Sequence, residues 1–331
     1  MKQIYQLLGL GSPLLDGDLG IEIECEGAHL RVADEDNSKY WKTVNDGSLR
    51  GVYPGSCAEF VLRRPIKAKD AKAAIQELIA IQTDAKLAFS FRTSVHVHVN
   101  IQELTEVQLL NLVYTYLLLE EPLLNYCGKE RKGNRFCLRL SDAEGSLEYI
   151  TAWIAKSFDS LRLMAEGTIR YSSINLAAVR KYGSVEFRGM RGTMDIGTLT
   201  NWCTALLRIR AFAMDSKDPS FVYETFCNMG AIGFLNHVLG DVAPVYVYPQ
   251  VEEGMSKSFS LSIDIPAIFN RYKDRFKDKV APPKEEDEFR IPDNVMEELR
   301  RAGAVAERAR APIRPDPRNR IAPHVNIDDL V

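Results

Sequence analysis

The 331-residue chain contains no Cys-x-x-Cys pair, no Gly-x-Ser-x-Gly turn and no glycine-rich loop of the Walker type. The first absence argues against a thiolate metal site or a dithiol redox couple. The six scattered cysteines (Cys25, Cys57, Cys127, Cys137, Cys203 and Cys227) therefore read as reduced thiols of a cytosolic protein. The second absence leaves no nucleophile elbow for acyl-enzyme chemistry, and the third excludes a P-loop. Long hydrophobic runs are missing too. The apolar stretch around Leu7–Leu10 is short and soon meets Asp16 and Asp18, so neither a signal peptide nor a membrane span is expected. A net charge of -3 gives no general pull toward nucleic acid or an anionic membrane. No fixed-period repeat is visible. With 46% hydrophobic residues the chain can still bury an ordinary core, and the expectation is a soluble, cytoplasmic globular protein.

What the chain does have is strict alternation. From Arg92 to Asn100 the period is two without a break: Ser94, His96, His98 and Asn100 share one strand face, and Val95, Val97 and Val99 share the other. Two further stretches repeat the design. Glu22 and Glu24 stand opposite Ile21, Ile23 and Cys25, and Glu186 and Arg188 stand opposite Val185 and Phe187. Same-face neighbours lie about 6.6 Å apart along a strand. If the three strands share a sheet with these faces together, the floor carries three carboxylates, two imidazoles and a guanidinium. That set suits divalent metals and phosphates, whereas each pair alone reads as readily as a solvated face.

In chain order, residues 1–18 read as a leader or edge segment. Strands follow at 19–26, near His29–Val32 as its hairpin partner, at 40–44 before the turn Asn45–Ser48, and at 58–62, where Pro65 stops the run. Ala71, Ala74, Ile75, Leu78, Ile79 and Ile81 mark a helix within 68–86. Thr105 and Gln108 form a capping box that opens a helix toward Leu124, with a stripe of Leu110, Val113, Tyr114 and Leu117. A basic loop with Lys129, Arg131, Lys132 and Arg135 leads to a second helix over 147–165. Strands at 169–178 and 183–188 are joined by a turn at Tyr182-Gly183. Helices follow at 197–213, 219–228, 231–239 and 265–276. Seven of the fifteen prolines fall in the last fifty residues, which read as an extended tail with one helix over 293–309. The fold class is α+β, with antiparallel strands around an active face and helices behind. The division is a catalytic unit over 1–245, with a helical block at 104–165, and a C-terminal segment over 246–331.

The ordered series Gly20-Ile-Glu-Ile-Glu24, Asn45-Asp-Gly-Ser48, Glu59 ahead of Pro65, His96-Val-His98, Asn175 within Ile-Asn-Leu, and Glu186-Phe-Arg188 resembles the amidoligases. These are a phage- and bacteria-associated branch of the carboxylate–amine ligase and glutamine synthetase superfamily. The resemblance covers roughly residues 19–215. It implies a curved antiparallel sheet forming a funnel that holds ATP and magnesium. On that resemblance Glu22, His96 and Glu186 share one metal, and Glu24 and Glu59 help to hold a second beside the acyl acceptor. His98 and Arg188 face the nucleotide phosphates, Asn175 lies by the phosphate or acyl phosphate, and Asp46 lies at the substrate mouth. The implied catalytic residues are Glu59, Arg188 and Asp46.

The chemistry agrees with the bare residues. A carboxylate condenses with an amine only after activation, here by ATP to an acyl phosphate, and metals would neutralise the phosphate charge. The implied partners are small-molecule or peptide carboxylates and amines, and the tail is a candidate dock for a protein partner. Two other readings use the same floor: a guanidino kinase, which phosphorylates a guanidinium, and a non-catalytic binding or assembly module. Several residues keep two readings at this point. Arg63-Arg64 binds an anionic substrate or is solvated, the Lys129–Arg135 loop closes over phosphate or is solvated, and Asp46 serves the site or only its turn. Arg170 and Arg191 reach an anionic substrate or are solvated. His29, His237 and His324 read as structural or surface residues, and Trp41 and Trp202 as core.

Overall fold

Alternation becomes a seven-stranded antiparallel sheet in the computed structural model of the chain, which describes residues 1–13, 16–49, 51, 55–134, 137–139, 145–165 and 171–277. Its strands are β1 (Leu19–Ala28), β2 (Trp41–Val44), β3 (Cys57–Leu62), β4 (Lys86–Ala88), β5 (Ser94–Asn100), β6 (Ile174–Asn175) and β7 (Ser184–Arg191). They lie in the order β2–β3–β1–β5–β7–β6, and β4 pairs with the far end of β1. The three polar-faced strands are therefore neighbours. Glu22 lies opposite His96 on β5 and Val61 on β3, His98 lies opposite Glu186 on β7, and Asn175 lies opposite Glu186 from the other side.

The apolar side of the alternation fixes this arrangement. Ile21, Ile23, Cys25, Val95, Val97, Val99, Val185 and Phe187 are all at most 1% exposed. Burying a side chain of this size contributes about 1.5–3 kcal/mol. A slip of one residue would turn the whole set to the wrong face, so register is strongly specified.

The helices are α1 (Ile4–Leu7), α2 (Ala71–Ile81), α3 (Glu106–Cys127), α4 (Ser146–Ala155), α5 (Ala177–Tyr182), α6 (Ile196–Asp215), α7 (Pro219–Leu239), α8 (Val251–Ser262) and α9 (Ile265–Tyr272), of which α3 packs on β7 and α6 on β5. The capping box of α3 forms as the spacing requires: Gln108 N donates to Thr105 Oγ1 at 3.2 Å, and Thr105 N donates to Gln108 Oε1 at 2.9 Å. This helix is buried on nearly every side, because β7, α6, α7 and α8 surround it. A stripe of four residues therefore understates its core, as expected for a helix with no solvated face. Trp41 and Trp202 are core residues. His29 and His237 are exposed.

Several local expectations change. No strand forms at His29–Val32: His29 takes a left-handed conformation (φ 61), and the end of β1 pairs with β4 instead. Only Ile174–Asn175 is a strand within the expected 169–178, where residues 166–170 lie outside the described part, and 177–182 is a helix. Gly183 (φ 64) is thus the left-handed C-cap of α5 rather than a hairpin turn. Helix α4 stops at Ala155, and a 3₁₀ segment occupies Phe158–Ala165. By contrast, the two helices expected at 219–228 and 231–239 are both present, as the halves of α7 on either side of the non-helical Gly230 (φ 68, ψ 174).

Residues beyond 245 pack on the same helices. Helix α8 packs on α3, α9 packs on α4 and α7, and Arg275 donates to Ile154 O, Trp153 O and Glu106 at 2.7–3.0 Å. The proline-rich tail and its expected helix at 293–309 lie outside the described residues. Among the described residues no helix is long and apolar enough to cross a membrane, and all six cysteines are unpaired.

Candidate active site

Three adjacent strands bring the acidic and imidazole groups together. Glu22 Oε2 lies 3.2 Å from His96 Nδ1, and Glu22 Oε1 lies 3.4 Å from His98 Nε2. Glu186 Oε1 lies 3.5 Å from the same His96 nitrogen, accepts from Arg188 and, through Oε2, accepts from Asn175 Nδ2 at 2.7 Å. Behind His96, Ser94 Oγ lies 2.9 Å from Nε2 and donates to Glu24 at 2.6 Å. Ser94 N donates to Glu24 as well, at 2.8 Å. Ser184 Oγ holds His98 Nδ1 at 3.0 Å. Each imidazole is thus oriented by a hydroxyl on one side and a carboxylate on the other, which fixes the direction of the ring.

The electrostatics divide the floor in two. Burial opposes the charge of Glu22, but His96 and His98 outweigh it and hold the carboxyl well below the usual range. Glu186 is also held low against the effect of burial, by His96, Arg188 and His98. For His98 burial favours the neutral ring, yet Glu22 and Glu186 raise its pKa. Glu59 is the contrast. Burial, Glu22, Asp46, Glu24 and Glu186 all oppose its ionisation and push it up to about 8. It lies opposite Glu24 in the β1–β3 register, so two acids share a site.

This arrangement makes a pH-dependent prediction. The folded-state pKa of Glu59 exceeds its ordinary 4.5, so its protonated form favours folding. That stability is full below the ordinary value and is lost as pH rises toward about 8. Glu59→Gln is expected to raise the melting temperature at pH 8.5 and to leave it unchanged at pH 4. Discounted for partial exposure, the gain is about 1–2 kcal/mol. Melting curves at the two pH values decide; a shift of equal size at both would mean that Glu59 is not crowded by its acidic neighbours.

Ligand atoms of Glu22, His98 and Glu186 lie within 4.8 Å of one another. Where the resemblance grouped His96 with the two carboxylates and turned His98 to phosphate, both imidazoles reach the carboxylate pair in the structure. Carboxylate and imidazole donors together fit a hard or borderline divalent cation. A second observation fits phosphate: Arg188 Nε is buried with no hydrogen-bond partner, a donor that an anionic oxygen would satisfy.

The other candidates resolve differently. The Asp46 carboxylate accepts from Ser48 N at 2.7 Å and Ser48 Oγ at 2.6 Å, which closes the Asn45–Ser48 turn. It is still near enough to raise Glu59. Arg131 neither floats in solvent nor reaches the floor. It is 2% exposed and donates to Gly189 O at 3.1 Å and Arg188 O at 2.8 Å, behind the strand that carries Arg188. Lys129 and Lys132 are exposed, and Arg135 lies outside the described residues, as does Arg170. Arg191 donates to Tyr126 O. Ser184 was missed as a site residue, though it stands two positions before Glu186 and so shares its face. Lys42 and Tyr182 were missed as well, and no motif marks them. They line a cavity of about 300 Å³ beside the cluster, together with Glu22, Val61, Arg63, Arg64, Pro65 and His98.

Comparison with known proteins gives one family. The family model described as "Putative amidoligase enzyme" matches residues 61–209, a span that contains His96, His98, Asn175, Glu186 and Arg188. Glu22, Glu24, Asp46 and Glu59 precede it. No curated protein sequence matches the chain.

Proposed function

From the amidoligase match over residues 61–209, which supports a ligase function, we infer that the chain joins a carboxylate to an amine with cleavage of ATP. The observation that carries this reading is the convergence of Glu22, Glu186, His96, His98 and Arg188 across β1, β5 and β7. The polar face of the sheet serves as the wall of a funnel-shaped site. A carboxylate oxygen of the donor attacks the γ-phosphorus, the bond to the β-phosphate oxygen breaks, and ADP leaves. The amine nitrogen then attacks the acyl carbon, the carbon–oxygen bond to phosphate breaks, and inorganic phosphate leaves with those electrons. Bound magnesium, held by Glu22, Glu186 and an imidazole, would supply charge neutralisation at the phosphates.

The chain's own groups divide the remaining work. Arg188, fixed by Glu186, meets the migrating phosphoryl group, and its unpaired Nε donates to a phosphoryl oxygen. His98 faces the nucleotide phosphates. Asn175 holds Glu186 in place. Glu24 and Glu59 form the acceptor end, where they attract the ammonium form of the amine or a second cation. With a pKa pushed up to about 8, Glu59 is matched to taking the proton that the attacking amine releases. Asp46 orders the turn at the mouth. Calorimetric titration of Mg-ATP tests this reading. The wild type is expected to bind, and the double variant His96→Ala, Glu186→Gln to show no measurable binding. Silence from the wild type would overturn the nucleotide assignment; equal binding by both would move the nucleotide off this face.

A further inference from the structure

The hydroxyl behind His96 has one hydrogen and two claimants. Ser94 Oγ lies 2.6 Å from Glu24 Oε2 and 2.9 Å from His96 Nε2. A serine hydroxyl donates once and accepts through its lone pairs. The shorter contact has the length of a bond from a hydroxyl to a carboxylate, and Ser94 N donates to the same oxygen at 2.8 Å. The hydrogen of Ser94 therefore goes to Glu24. His96 Nε2 is left facing a hydroxyl lone pair, which it meets only as a donor. That puts the proton of the neutral ring on Nε2 and leaves Nδ1 with a bare lone pair.

The other side of the ring agrees. His96 Nδ1 lies 3.2 Å from Glu22 Oε2 and 3.5 Å from Glu186 Oε1. Charge-assisted N–H···O bonds are shorter, about 2.7–2.9 Å. Donor atoms that share one divalent ion at about 2.0–2.2 Å lie roughly 3–3.6 Å from one another. Glu24, Ser94 and His96 are all buried, so water has little access to break the line. His98 is held differently. Ser184 Oγ lies 3.0 Å from its Nδ1, and among the described residues no carboxylate claims that hydroxyl, which can turn to suit either tautomer.

We propose that Glu24 and Ser94 are positioning residues for the cation site. Through the Ser94 hydroxyl, Glu24 holds His96 as the Nε2–H tautomer, so that the Nδ1 lone pair joins Glu22 and Glu186 around one divalent ion. This rests on the cation part of the reading above and needs neither the nucleotide nor the amine. Glu24 then has two neighbours with different claims: its Oε2 belongs to Ser94, while the residue lies opposite Glu59 in the β1–β3 register. Removing the Glu24 carboxylate frees the hydrogen of Ser94 for His96 Nε2. The ring proton then moves to Nδ1, where Glu22 and Glu186 accept it, and the nitrogen is lost as a ligand.

The test reads the ring and the ion separately, on the full chain. Nitrogen-15 spectra of the histidine-labelled, metal-free protein at about pH 9, above the ordinary imidazole range, report the tautomer. Calorimetry with Mn²⁺ at neutral pH reports the ion, His96→Gln assigns the resonances, and circular dichroism checks folding. The wild type is expected to carry the His96 proton on Nε2 and to bind Mn²⁺. Ser94→Ala and Glu24→Ala should each move the proton to Nδ1 and weaken Mn²⁺ by about 10–100-fold. Ser94→Thr, which keeps the hydroxyl, should restore both. A wild-type proton on Nδ1 overturns the proposal, and so does Mn²⁺ affinity within about two-fold of wild type in both alanine variants. Weaker Mn²⁺ binding with the tautomer unchanged overturns it as well, because a purely structural loss would do the same. A tautomer that moves as expected in a protein that binds no Mn²⁺ keeps Glu24 and Ser94 as the holders of the ring and removes the cation reading alone.

Discussion

Glu186→Gln is expected to cut ADP release on any productive substrate pair by at least about a thousand-fold, with the fold preserved. The size follows from position. Glu186 is buried, is held below its ordinary pKa against that burial, and links Asn175, His96 and Arg188 through one carboxylate. Glutamine keeps the shape and an acceptor, but it removes the charge that a cation and two imidazoles answer. The variant should also report on the ligand-free protein. A depressed carboxylate contributes stability above its ordinary range and loses it as pH falls through the folded value, while the raised pKa of His98 contributes stability that fades as pH rises through it. The network is therefore strongest in mildly acidic solution, roughly pH 5–6.5. There the variant should melt earliest relative to wild type, by about 1–3 kcal/mol. Turnover near the wild-type rate would remove Glu186 from the site, whatever the melting curves show.

Arg131→Leu should do more damage to stability than any change on the floor itself. Its guanidinium is fully enclosed and donates to the carbonyls of Arg188 and Gly189 from the loop after α3. Leucine fills most of the volume but leaves both carbonyls without these donors, which costs about 2–4 kcal/mol. The loss also loosens the strand under Arg188, so Mg-ATP affinity should fall together with melting temperature. Arg131→Lys should recover part of each, since it keeps a charge and a donor but not the fork. If Arg131→Leu melts within a degree of wild type, the arginine is not the strut behind β7. A drop in melting temperature with unchanged nucleotide affinity would confine its role to the fold.

Both variants probe the same division of the floor. Toward Glu22 and Glu186 the negative charge is answered by imidazoles and a guanidinium; at Glu59 burial and the neighbouring carboxylates oppose it. Toward Arg63 the sign reverses.

The alternation at 19–25, 94–100 and 184–188 was readable without any coordinates. Which side chains share a strand face depends only on adjacent residues, and a period of two survives every choice of neighbour. The Thr105–Gln108 cap and the break at Gly230 belong to the same local class. Other features depended on contacts across the chain. Whether an acid is answered by a cation is set by the residue about 5 Å away on the next strand, so Glu22 and Glu59, alike in sequence context, ended with opposite pKa shifts. The burial of Arg131, the strand pairing of residues 86–88 with β1 in place of 29–32, and the wrapping of α3 on all sides likewise follow from what packs against them. The cavity at Arg63 has the same origin: β2, β3, β1, β5 and the end of α5 each lend it a wall, and no single stretch of the chain encodes it.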